Sequence, residues 1–235
     1  KDVKTSRGSC PDVTVVIPAY NYGRFLEQAI SSVLEQQVAG QLEVLVFDNA
    51  STDDTEVVAQ KFAEDHRFRY MRNQRNIGGP RNWNTATQIA CGRYLAVLSA
   101  DDFFKPGHLQ RMVSAMDTQP HVALAYCPCI WVDETGRPLY VAHASGHKTT
   151  DYVGGRNEIA DLLAFDCYIT PSAALVRRSV LEQVGALDLE LQGAIDWDLW
   201  IRIAEKAPDF AFFKDASVCY RTHGAQDTLR LMGNA

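Results

Sequence analysis

The sequence predicts an α/β fold, a parallel sheet covered by helices on both faces. Two observations carry this. Short apolar runs alternate with amphipathic stretches through the first 126 residues, and the polar clusters that follow the runs fall at strand ends. Strands separated by helices pair in parallel and bind ligands beyond their carboxyl ends. With 235 residues, 46% of them apolar, the chain is long enough for one sizeable core.

The elements follow in order. "VTVVI" (13–17) reads as a buried strand that Pro18 ends. Residues 23–37 place Phe25, Leu26, Ala29, Ile30, Val33 and Leu34 at helical spacing. "LEVLVF" (42–47) is a second strand, and "NASTDD" offers N-caps for a helix over about 53–64. "FRYMR" (68–72) is a third strand. "NIGGP" is a turn, Pro80 opens a helix to Cys91, and Gly92 suits its end. "YLAVLS" (94–99) is the fourth strand, Pro106 starts another helix, and "VALAY" (122–126) is the fifth strand. Beyond 126 the pattern loosens. "DETGRP" (133–138) reads as a hairpin turn and 143–155 as a mobile loop. A helix near 156–164, a strand near 173–177, a helix over 196–206 and a strand over 216–221 complete the reading.

Composition narrows the function. A net charge of −6 argues against a general nucleic-acid or anionic-membrane binder. No run approaches the ~18 apolar residues of a membrane span, and residues 1–12 are polar with no signal-peptide core. The chain lacks an initiator Met, as expected of a domain of a longer protein or a processed product. The six cysteines match no zinc spacing; buried, reduced thiols in a cytoplasmic protein are the expectation.

Six clusters carry chemistry. Pro18–Ala19–Tyr20–Asn21 ends the first strand, where a tyrosine can stack on a flat ring and the backbone can bond its edge; a turn with a core tyrosine is the plainer reading. Asp48 follows a buried run and can accept the imide N–H of uracil or thymine, which cytosine lacks. Among five arginines from 67 to 81, Arg75 and Arg81 border the turn above the third strand and suit a base or a diphosphate. Asp101 and Asp102 close the fourth strand. Adjacent carboxylates repel, and a divalent cation shared with a phosphate relieves that, Mg²⁺ or Mn²⁺ by ligand type. Helix capping before Pro106 is the alternative. Late in the chain, Asp196 and Asp198 open a helix with Arg202 in pairing distance of Asp198, and His223 ends a strand.

Together "VIPAYN", "DNASTDDT", "NIGGPRNWN", "SADD", "RRSVLEQVGALD", "DWDLWIR" and "YRTHG" stand in one order from about Val13 to Thr228. The chain thereby resembles glycosyltransferase family 2. The resemblance implies a GT-A fold, with a Rossmann-like, mixed and mostly parallel sheet. It implies one domain over 13–228, with a nucleotide-binding half (13–126) and an acceptor-binding half (127–228), between a polar extension (1–12) and a tail (229–235). It implies inverting, metal-dependent transfer of a sugar from a nucleotide donor, UDP or dTDP first, to a glycan, lipid-linked or other hydroxyl acceptor. Pro18, Tyr20, Asn21, Asp48, Arg75, Arg81 and Asp101 would bind nucleotide, and Asp101, Asp102 and His223 would hold Mn²⁺ or Mg²⁺. Asp196 would be the catalytic base. Bacterial surface-glycan assembly at the inner membrane face, by peripheral contact, fits the family's habit. Two positions depart from its pattern: Ser99 stands for the first acidic residue of the metal motif, and Ile195 for the usual Glu before the base. They motivate the rival, a non-catalytic nucleotide-sugar or interaction module. A nucleotidyltransferase is a third reading, weakened by the lack of a Gly-rich nucleotide motif. Loop 143–155 would be a lid over both substrates.

Overall fold

Each apolar run of the first hundred residues becomes a strand, and each amphipathic stretch a helix laid against it. The computed structural model describes residues 10–142, 148–155, 158–165, 167–191, 193–224 and 226. Strand β1 (Val13–Ala19) leads to α1 (Gly23–Leu34), β2 (Leu42–Asp48), α2 (Thr55–Gln60), β3 (Phe68–Arg72), α3 (Gly79–Ile89) and β4 (Tyr94–Val97). Next come β5 (Phe103–Phe104), α4 (His108–Thr118), β6 (Leu124–Tyr126), β7 (Cys129–Val132), β8 (Pro138–Ala142), β9 (Tyr152–Val153) and α5 (Glu158–Ala164). A 3₁₀ turn (Pro171–Ala173) precedes β10 (Ala174–Arg177), α6 (Arg178–Val184), α7 (Ile195–Lys206), β11 (Phe210–Phe212) and β12 (Val218–Arg221).

The large sheet runs β3-β2-β1-β4-β10-β6-β11-β9. Strands β3, β2, β1 and β4 are parallel, β10 is antiparallel to both its neighbours, and β6 and β11 are parallel. The sheet is therefore mixed and mostly parallel in its first half. Helix α1 covers one face with Leu26, Ala29, Ile30 and Val33, all without exposed surface. Helix α3 covers the other face over Val16, Leu45, Phe47 and Leu95.

Several boundaries moved for identifiable reasons. Pro18 does not end β1. The last bond to β4 is the Leu98 N–H on the Val16 carbonyl; the next one on that side would need a Pro18 N–H, so pairing with β4 stops at Val97 while β1 runs on beside β2 to Ala19, opposite Asp48. Gly92 is not the α3 cap; the helix stops at an extended Ala90. Gly92 is required instead by close approach, since a Cβ there would sit 2.5 Å from the Thr14 backbone nitrogen. Of the second sheet, β5-β12-β7-β8, the sequence reading had the strand over 216–221 and the β7–β8 turn, but not their pairing. That turn is closed by the Gly136 N–H on the Asp133 carbonyl at 2.9 Å.

Of the expected lid, 143–147 lies outside the described residues, as do most of the extension and the whole tail. Residues 148–155 are tied down. Val153 and Tyr152 pair with β11, and Lys148 is buried in an ion pair with Glu158. Asp161 lies 3.2 Å from the Lys148 ammonium, and the hydroxyls of Tyr126 (2.7 Å), Tyr152 (3.1 Å) and Tyr168 (3.1 Å) accept from it. The thiols are not uniformly buried: Cys127, Cys129 and Cys219 are, Cys91 and Cys167 are partly so, and Cys10 is exposed. Among the described residues no helix is long and apolar enough to cross a membrane.

Lys148→Met should lower the unfolding free energy by about 3–5 kcal/mol, because Glu158 is left buried without its cation. Urea denaturation reads this directly, and a loss under about 1 kcal/mol would show the pair to be dispensable.

Candidate functional site

Beyond the end of β4 two adjacent carboxylates are buried together. Asp101 is 7% exposed and Asp102 only 1%. Desolvation raises both carboxyls above the ordinary range. The neighbouring Asp101 charge pushes Asp102 further, while a hydrogen bond with His223 pulls Asp101 back. Arg221, at the end of β12 and itself 2% exposed, holds the pair in place. Its backbone N–H donates to Asp102 Oδ1 at 2.9 Å and its Nε to the Asp101 carbonyl at 2.8 Å. Its two terminal nitrogens reach the Glu134 carbonyl and Gln28 Oε1 at 2.7 and 2.6 Å, with Phe25 under the guanidinium.

Expectation gave the cation to Asp101, Asp102 and His223 together. The structure shifts the weight. Both Asp102 oxygens have protein donors, since Ser172 Oγ donates to Oδ2 at 2.7 Å and Arg221 takes Oδ1. Asp101 is the more open of the two, with Oδ2 3.0 Å from His223 Nε2. His223 Nδ1 lies 3.3 Å from an Arg24 nitrogen, which can only donate, so Nδ1 accepts and Nε2 carries the proton to Asp101. Ser99 is drawn into the same group: its N–H donates to Ser172 Oγ at 3.1 Å. A cation that replaced the Nε2 proton would meet an imidazole nitrogen and a carboxylate oxygen, a set that suits Mn²⁺ or Mg²⁺ sharing a diphosphate. Among the described residues no cluster of three or more such ligands occurs, so phosphate oxygens and water would complete the sphere.

The expected base-reading residues are brought together at the ends of β1 and β2. Asn21, at φ 57°, donates its N–H to Ser51 Oγ at 2.9 Å and accepts from the Thr52 N–H at 2.7 Å. Tyr20 is 40% exposed and presents a ring beside them. Asp48 differs from expectation, because it has no exposed surface. Ser51 donates to Oδ1 from its N–H and hydroxyl, at 2.9 and 2.5 Å, and the Tyr70 hydroxyl donates to Oδ2 at 2.6 Å. Arg72 approaches Oδ2 at 3.4 Å. Arg75 and Arg81 stay exposed, and among the described residues neither forms an ion pair.

Four asparagines escaped the sequence reading. Asn49 and Asn73 link to Asn76 and Asn82, and Asn49 Oδ1 accepts from the Ile77 N–H at 2.9 Å. This network fixes the turn that carries Arg75. Arg24 also escaped; its place in the first turn of α1, just past "PAYN", was the available signal.

Asp196 lies apart, in the first turn of α7. Burial raises its carboxyl above the ordinary range, against hydrogen bonds from the Trp197 N–H and the Cys167 thiol. Two indoles position it. Trp197 Nε1 donates to the Leu162 carbonyl and Trp200 Nε1 to the Ile169 carbonyl, each at 2.9 Å. They bring the chain around Cys167 alongside Asp196, and a few residues further on Ser172 meets Asp102. Asp198 is paired with Arg202 at 2.8 Å, which leaves Asp196 as the available carboxylate of the two.

Known proteins resemble this chain in sequence and in fold. A family model described as glycosyl transferase family 2 matches residues 14–185. The chain is 25% identical over 213 residues to an uncharacterized glycosyltransferase of Methanocaldococcus jannaschii, covering 90% of this chain and 71% of that one. It is 25% identical over 224 residues to chondroitin synthase of Escherichia coli, covering 94% of this chain and 30% of that one. Among solved structures, S. aureus TarS 1–349 in complex with UDP-GlcNAc superposes with a TM-score of 0.74 at 18% identity, over 94% of this chain and 64% of that one. The mannosyltransferase PcManGT of Pyrobaculum calidifontis, in complex with GDP-Man and Mn²⁺, gives 0.63 at 22%, over 93% and 58%. The chain spans less than two thirds of either solved chain. Seven sequence motifs, a half-parallel sheet and a family match over most of its length agree: the chain belongs to glycosyl transferase family 2 and has the GT-A fold.

Proposed function

We propose that this chain transfers a glycosyl group, with inversion, from a nucleoside diphosphate sugar to an acceptor hydroxyl. The observation that carries the reading is the Asp101–His223 pair, fixed at the end of β4 by Arg221, on the sheet edge where ligands of such folds bind. Tyr20 and Asn21 would face the base with the Pro18 backbone beside them, and Arg75 and Arg81 the diphosphate. Asp48 would read the base edge after Tyr70 yields. Asp101 and His223 would hold Mn²⁺ or Mg²⁺, while Asp102 acts through Arg221 and Ser172 as their anchor. When bound, the cation neutralises charge on the leaving diphosphate. Asp196 takes the proton of the attacking hydroxyl; a carboxyl raised by burial is better matched to that task than an ordinary one. Binding of UDP-GlcNAc by TarS, and of GDP-Man with Mn²⁺ by PcManGT, supports a nucleoside diphosphate sugar and a divalent ion. UDP or dTDP remains the favoured donor, and surface-glycan assembly at the inner face of a bacterial membrane the favoured setting. The rival reading, a binding module without turnover, rests on Ser99 and Ile195.

Thermal unfolding against UDP, dTDP, GDP and CMP, each with and without Mn²⁺, tests the donor site. At ~100 times its dissociation constant the true ligand adds roughly 2.7 kcal/mol of stability. A Mn²⁺-dependent rise with one diphosphate supports the reading, and none with any overturns it. Asp196→Asn should cut kcat by about 10²–10⁴-fold and leave that rise intact. Turnover at the wild-type rate would remove Asp196 from the chemistry, and a wild-type protein that binds without turnover would favour the module. In wild type, kcat should fall as pH drops through the Asp196 pKa, with the midpoint above the ordinary 3.8. The base works ionised, so activity is kept above that value and lost below it.

A further inference from the structure

We propose that the aromatic row on the β12-β7-β8 sheet is a carbohydrate platform, so that the acceptor is held as a glycan chain. The inference rests on the transferase reading and names its acceptor class. Tyr220, Trp131 and Tyr140 are register partners across three neighbouring strands. Side chains alternate along a strand, so all three share one face. The Trp131 ring lies 5.3 Å from Tyr140 at 17°, stacked, and 4.8 Å from Tyr220 at 45°. Tyr140 is 54% exposed on the edge strand, and among the described residues no strand lies beyond it.

This edge is unlike that of β3 in the large sheet. Strand β3 carries Arg69 and Arg72, the usual protection against pairing. Strand β8 reads Pro-Leu-Tyr-Val-Ala, with no charge, and Leu139 and Val141 are 51% and 42% exposed. An apolar edge left open is a surface for a partner. Its backbone is a poor offer for another strand. Pro138 lacks a donor, and the register shifts between Trp131 and Val132. What remains on offer is ring surface, led by Tyr140, with Trp131 and Tyr220 partly buried against the core behind it.

A pyranose matches ring surface. Its axial C–H bonds form an apolar face with a positive outer rim, which settles on the electron-rich face of an aromatic ring. Its hydroxyls point outward, within reach of a tyrosine O–H. The row is continuous with the candidate site. Cys129 stands two residues before Trp131, on the same face, and its thiol meets the Thr170 side chain. Thr170 leads into the turn whose Ser172 binds Asp102. From Tyr140 to β12 is about 10 Å across two strands, and from Tyr220 to His223 about 10 Å along the chain, a span suited to a short oligosaccharide.

The test titrates the purified chain, with UDP and Mn²⁺ present, with chitohexaose, cellohexaose and chondroitin hexasaccharide. At least one should bind wild type, Tyr140→Ala and Trp131→Ala should weaken it about tenfold, and Tyr140→Phe should bind like wild type. The UDP–Mn²⁺ melting rise should be the same in all four proteins. Binding unchanged in Tyr140→Ala overturns the platform, as does a wild type that responds to UDP and binds none of the three. A Tyr140→Ala protein that sediments as monomer where wild type is a dimer, with hexasaccharide binding intact, assigns the face to a second copy and also overturns it. A wild type with no nucleotide response strikes at the transferase reading instead, and the hexasaccharide titration then judges the platform alone.

Discussion

Arg221 is the constraint on which the rest of the site depends. Two adjacent carboxylates at a buried strand end are unstable neighbours, and burial removes the water that would screen them. One guanidinium, also buried, spreads its donors over the Asp101 carbonyl, the Glu134 carbonyl and Gln28, while its own backbone N–H caps Asp102. The fixed fork of an arginine can satisfy such divergent acceptors at once; a lysine in its place would offer a point charge. The same residue thereby joins β4, β12, α1 and the β7–β8 turn. The buried acidic pair, second sheet and first helix are set by a single side chain.

Much of the fold was legible because its signals are local. Buried strands such as "VTVVI" and the helical spacing from Phe25 to Leu34 need no distant partner to be read. Of the small sheet only the last strand and the β7–β8 turn were legible, not the pairing. Strand β5 has two residues, and β12 finds β7 from across the chain. In the site, carboxylates that follow an apolar run advertise themselves, and so Asp48, Asp101 and Asp102 could be named. Which of them faces a ligand could not. Ser172 and Arg221, which take up Asp102, lie 70 and 119 residues away, and Tyr70, which closes Asp48, is hidden in an ordinary strand pattern. Sequence spacing tells where a charge sits along a strand; its occupancy is decided by long-range contacts.

The second half of the chain is organised by polar groups placed inside apolar surroundings. The two indoles of α7 grip backbone carbonyls at 162 and 169. Lys148 sits among three tyrosine rings, with its ammonium 4.4 to 5.6 Å from their centroids. Such groups are costly when unpaired and give one well-defined arrangement when paired. Asp196 inherits its position from that arrangement, through α5 and the strand of chain beside Cys167. The proposed base is thus held by contacts made far from the Asp101–His223 pair.

If Asp48 reads the nucleobase as proposed, its bond with Tyr70 makes that choice a matter of exchange. Burial and the Asp48 charge hold the phenol in its protonated form, so it fills the carboxylate with a proton of its own. A base arriving there can be accepted at little cost only if it returns what it displaces, an N–H aimed at the same oxygen. Uracil, thymine and guanine carry one beside a carbonyl. Cytosine brings a lone pair to the same spot, and the carboxylate would then be left unsatisfied, a loss of about 1–3 kcal/mol. Discrimination of this kind resides in the contact that is given up, and it sorts bases by the presence of an acidic ring proton, not by the size of the ring.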